Sequence, residues 1–267
     1  MTLDTGLWLC GAVEEAALTL LLLRTRVFRH FPAFVLFICW SWFSDTLLFA
    51  IQSLPADTFF HLYEVQLVID STMIFGVLVE LSWSVLRPIR KSLPRGSWMG
   101  IALLIALAGL VVWPVAGLTL PHLAPAGRNL FRLQQTFAIL RIVVFLVMAG
   151  FSQILSIGWR DRELQVATGL GFYSIVSLAV SVLHTYQVVG PYSHWAPLYH
   201  RMDEVVMVSY VGVLAYWVAS FAGKEAARMD FSPQMEQLLL TVARGARTAR
   251  SRMATTSAPG EPNSPEQ

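Results

Sequence analysis

Of the chain's 267 residues, 55% are hydrophobic and only 13% are charged, about half the charged share of a soluble domain. A water-soluble fold needs a polar surface, so this composition excludes one. The formal net charge of +2 says little; where the charges lie says much.

Seven apolar segments, each about 20 residues or longer, match the ~30 Å hydrocarbon core of a bilayer when read as helices. They run over residues 7–23, 32–53, 61–85, 98–117, 130–157, 164–188 and 199–222. Helices satisfy their own backbone in lipid, and the short alternating strands of a barrel are absent. The first segment holds Cys10 with Glu14 and Glu15, and the second holds Cys39 and Asp45. Both cysteines read as free thiols acting as small hydrophobes. The third carries Tyr63, Gln66 and Asp70 on one helical face, and the fifth carries Gln134 and Arg141 on another. The fourth has no charge at all, which suits a lipid-facing linker. The sixth ends near His184, and the seventh opens with Asp203 and Glu204. No basic stretch precedes the first segment, so no cleaved signal peptide is expected. Trp8, Trp40, Trp42, Trp83, Trp98, Trp113, Trp159, Trp195 and Trp217 read as an aromatic belt at the two interfaces.

Of the 19 Lys and Arg residues, 15 fall in the 1–2, 3–4 and 5–6 connections and the tail. The opposite connections hold only Arg128 and Arg201, while Arg132 and Arg141 lie inside segment 5. Basic residues accumulate on the cytoplasmic side, so the N-terminus is expected outside and the C-terminus inside. An alkaline phosphatase fusion in the 2–3 connection should therefore be active, and an inactive one would reverse the orientation. The expected domains are a seven-helix bundle over 1–223, a cytoplasmic basic amphipathic segment over 224–253, and a disordered Ser, Pro and Glu-rich tail over 254–267. Ser232-Pro233 is a helix start, and the arginines after it suit the anionic cytoplasmic leaflet.

Shifting the chain by 136 residues aligns Arg24-x-Arg26 with Arg160-x-Arg162, Pro55 with Pro191, Leu62-Tyr63 with Leu198-Tyr199, and Gly76-Val77-Leu78 with Gly212-Val213-Leu214. The pattern suggests a 3+1+3 plan, with two parallel repeats joined by segment 4. Shared helix-end and loop chemistry within one bundle is the other explanation.

Ionisable groups within spans are costly and point to function. At 1.5 Å per residue, Glu14, Glu15, Asp45 and Asp70 lie about 12–13 Å below the outer boundary and Arg141 about 16 Å. His184 and Glu204 are shallower, and the inner half holds only Glu80, expected to snorkel or pair with Arg87. Glu14, Glu15, Asp45, Tyr63, Gln66, Asp70, Gln134, Arg141, His184 and Glu204 thus form a candidate ligand, proton or ion pocket. Arg141 is the only deep cation, and Asp70 is its expected partner. The remaining acids must then be protonated, hydrated or bound to a cation. A polar network that only locks helix packing is the alternative.

No lysine sits in mid-segment 7 to hold retinal, and no Walker loop, GxSxG or HExxH occurs. The six histidines lack metal or haem spacing. No catalytic residue, metal or cofactor is expected, and no nucleic-acid partner. The run Leu62-Tyr63-Glu64 through Asp70 to Val79-Glu80-Leu81 and Val85-Leu86-Arg87-Pro88 resembles a group of uncharacterised seven-transmembrane-helix proteins of bacteria, Acidobacteria in particular. In topology these are similar to the seven-helix sensing regions of some histidine kinases. The resemblance implies an all-α protein of the bacterial inner membrane. The expected function is a sensor or receptor-like module. It would take a small ligand from the outer side and signal to a cytoplasmic protein partner through 224–253. The alternatives are a small-solute or proton-coupled carrier of 3+1+3 design, or a structural membrane protein without a ligand.

Overall fold

The computed structural model describes residues 3–51, 55–86, 96–116, 125–150, 161–187 and 196–223, and Thr241. Seven helices form: α1 (Leu3–Arg24), α2 (Pro32–Ile51), α3 (Ala56–Val85), α4 (Ser97–Val112), α5 (Pro125–Gly150), α6 (Arg162–Gln187) and α7 (Ala196–Ala222). No strand occurs among the described residues. The segments 224–253 and 254–267 lie outside them, apart from Thr241.

All seven expected segments are helical, and every helix except α4 is long and apolar enough to cross a membrane. α4 has 16 residues, or about 24 Å of helix. Hydropathy carries the fourth segment to Gly117, but its α-helix stops at Val112. Pro114 lies at the boundary: it has no N–H to give to the preceding turn, while Trp113 before it keeps helical φ −50° and ψ −45° and donates to the Gly109 carbonyl at 2.9 Å. At the other end Gly96 adopts φ 96°, a left-handed turn that leads into α4.

Large apolar side chains cover the outside. Leu104 is 67% exposed and Val111 73%, and comparable residues recur on every other helix. In water such a surface would aggregate; in lipid it is solvated. Six apolar helices with hydrophobic outer faces are the build of a multi-pass membrane protein.

Neighbouring helices close a ring in the order α1, α2, α3, α5, α6, α7 and back to α1, and α4 packs outside it on α3 and α5 alone. The ring's core sits at one end. Leu18 and Leu22 of α1, Phe34 and Ile38 of α2, Leu81 of α3, Leu164 of α6, and Leu214, Trp217 and Phe221 of α7 form one buried cluster. This is the end that carries the arginines of the 1–2 connection. This end is a plug of mostly apolar side chains that also buries Glu163, whose carboxylate accepts the Ser84 hydroxyl at 2.7 Å.

Two tryptophans do not belong to a belt. Trp217 is 2% exposed and donates its indole N–H to the Gln165 carbonyl at 3.2 Å. Trp40 turns inward, towards α3. Trp42 and Trp98 are exposed, as a belt requires. Arg87, the expected partner of Glu80, lies outside the described residues, but Glu80 has a role that the sequence does not suggest. Its two carboxylate oxygens accept the backbone N–H groups of Ala33 and Phe34 at 3.0 and 2.9 Å. These are donors in the first turn of α2 that have no partner within the helix. A carboxylate from α3 therefore caps α2.

Candidate ligand cavity in the polar layer

Above the plug the ring encloses a cavity of about 280 Å³, bounded by residues of α2, α3, α5, α6 and α7. Asp45, Asp70, Gln134 and Arg141 all line it. Gln134 stands at its exposed edge. On α2, Ser41, Ser44 and Asp45 lie at i, i+3 and i+4, which turns all three to the cavity.

The polar groups around this cavity are not equally satisfied. Ser44 and Ser71 donate to the carbonyls of Ser41 and Leu67 on their own helices at 3.1 and 2.7 Å. Asp70 accepts the Trp40 indole N–H at 2.6 Å and a hydrogen bond from the Gln66 side chain. Glu15, 1% exposed, accepts the Ser41 hydroxyl at 2.7 Å and the Tyr210 hydroxyl, and so ties α1 to α2 and α7. The Ser41 and Tyr210 hydroxyls are themselves 3.0 Å apart.

Arg141 and Asp45 are different. Arg141 is 8% exposed, and its Nε has no hydrogen-bond partner. Its guanidinium lies 5.7 Å from the centre of the Tyr173 ring. No ion pair joins it to Asp70 or to any other acid among the described residues. The expected Asp70–Arg141 pair is therefore not made. Trp40 and Gln66 serve Asp70 instead, and Arg141 turns to the tyrosine face. Asp45 accepts no hydrogen bond among the described residues, and the charged groups that act on it are the acids Glu15 and Asp70.

The remaining expected site residues lie elsewhere. Glu14 meets the Cys10 thiol at 4.0 Å on the flank of α1, and its Oε2 is buried without a partner. Tyr63 is 38% exposed and does not line the cavity. Glu204 borders a separate cleft with Arg201 between α6 and α7. The side chain of His184 is outside the described residues. Tyr173, Tyr210, Trp40 and Ser41 belong to the polar layer but do not stand out in the sequence. The polar tips of the three aromatic residues ride on bodies that read as belt or filler. For Ser41 a signal exists, four residues before Asp45 on one face.

A second cavity, of about 370 Å³, lies on the α1 side, bordered by the stacked pair Trp8 and Phe49, whose ring centres are 3.9 Å apart. It shares Asp45, Met207 and Tyr210 with the first. No cluster of metal-ligating side chains occurs among the described residues. Compared with protein-family models, curated proteins and solved structures, the chain matches none.

Proposed function

We propose that this multi-pass membrane protein is a sensor or receptor-like module of the bacterial inner membrane. It admits a small polar ligand to the central cavity from the outer side, with its N-terminus outside and its C-terminus in the cytoplasm. Occupancy is passed to a cytoplasmic protein partner through residues 224–253. It acts by binding, without catalysis. One observation carries this reading: Arg141 lines a cavity while buried, and no acid pairs with it among the described residues. A guanidinium stays charged in proteins, and desolvating it costs several kcal/mol. A merely structural network would pair it.

The ring also favours a second reading, a carrier of 3+1+3 design. Helices α1–α3 and α5–α7 form two arcs, with α4 outside them, as two parallel repeats with a linker would be arranged. The plug of side chains below the cavity favours the sensor, because a carrier needs a path to both sides.

Ser71, 6% exposed and on the cavity wall, separates the readings. In a background where Cys10 and Cys39 are serines, S71C should react with a membrane-impermeant thiol reagent in intact cells. In inside-out vesicles it should stay unmodified. Labelling from both sides would favour the carrier, and labelling from neither would overturn the pocket.

A further inference from the structure

Two groups on the cavity wall, Arg141 and Asp45, are able to carry opposite charge, and no ion pair joins either of them among the described residues. Arg141 is on α5 and Asp45 on α2. No Cα of α2 comes within 8 Å of α5, because α3 stands between them. Both side chains nevertheless border the same space of about 280 Å³. The Tyr173 face compensates Arg141 only in part, since a cation–π contact returns less than burying the charge costs. A bound anion at Arg141 would supply the rest. At Asp45 the surroundings are acidic, and a cation is the complement. The same wall also presents apolar side chains, Phe37, Leu67, Ile74 and Phe137, beside Ser44 and Ser71, whose hydroxyls are spent on their own helices. The volume lies just below the ~300–1,000 Å³ of pockets for drug-sized ligands, so the occupant has few heavy atoms.

We propose that the ligand is a small zwitterion, with its carboxylate on Arg141, its ammonium group near Asp45 and a short aliphatic link against the apolar wall. The inference rests on the reading of the cavity as a ligand pocket and names the chemistry that the pocket selects. An uncharged or singly charged solute would leave at least one of the two groups uncompensated. A zwitterion answers both and brings no net charge into the membrane.

The test is calorimetric titration of the full chain in nanodiscs with glycine, β-alanine and 4-aminobutyrate, which differ in the distance between their charges. Acetate and methylammonium, alone and mixed at equal concentration, are the controls. At least one zwitterion should bind about tenfold or more tightly than either ion or the mixture, as expected where a buried charge pair forms. R141M should abolish that binding and R141K should retain part of it, which separates lost recognition from lost folding. D45N should bring zwitterion affinity down to that of acetate. If acetate, methylammonium or their mixture binds as well as the zwitterions, the zwitterion inference fails and the pocket stands. If S71C is labelled from outside but no zwitterion binds, the zwitterion inference again fails alone. If S71C is also unreactive, both fail.

Discussion

Replacing Glu80 by alanine should lower the melting temperature of the purified protein by about 6–12 °C. The effect originates in the first turn of α2. Pro32 has no N–H, and Val35 donates to the Phe31 carbonyl at 3.1 Å. That leaves Ala33 and Phe34, whose N–H groups both go to Glu80. Both bonds are partly buried, so water replaces the lost acceptor poorly. Hydrogen bonds to a charged group contribute about 1.5–3 kcal/mol each, so losing two costs about 3 kcal/mol or more. For a chain of this size each kcal/mol shifts the midpoint by roughly 2–4 °C. E80Q keeps one good acceptor and should fall about halfway. Thermal unfolding in detergent reads both, and a change within about 2 °C for E80A would show that the cap contributes little.

The second large effect is expected on α6, where Gly169 and Gly171 point to opposite sides of the helix. A Cβ on Gly169 would stand 2.4 Å from Nε1 of Trp217 on α7. On Gly171 it would stand 2.5 Å from the ring of Phe145 on α5. Neither distance is tolerable for a carbon atom, so a neighbour must move. Close approach through small residues is how helices associate in membranes, and overfilling such contacts costs about 1–3 kcal/mol. G169A should be the worse variant, because Trp217 is 2% exposed and held by its hydrogen bond to Gln165. Phe145 is only partly buried and has room to yield. Equal melting temperatures for G169A and the parent protein would show that the α6–α7 contact is looser than these distances imply.

Much of the fold is legible in the sequence because lipid leaves an apolar run of about 20 residues few choices. The boundary of α4 is lost where hydropathy is followed past Pro114. In the site, Asp45, Asp70, Gln134 and Arg141 stand out because polar groups at depth are rare. Their pairing is not legible. Matched depth suggests that Asp70 meets Arg141, yet depth says nothing of how each helix is rotated about its axis. Trp40 cannot be assigned to Asp70 for the same reason, and an indole near a helix end reads first as a belt residue. The cap made by Glu80 joins residues 46 and 47 positions apart, a tertiary contact that no local pattern announces.

Three side chains, Asp45, Met207 and Tyr210, border both cavities. Tyr210 is held there through its hydroxyl, by Glu15 and Ser41. A change of rotamer at this ring would alter the boundary between the two spaces without moving a helix. The division of the interior into two spaces thus rests in part on hydrogen bonds between side chains, within a frame of helices that need not move to change it.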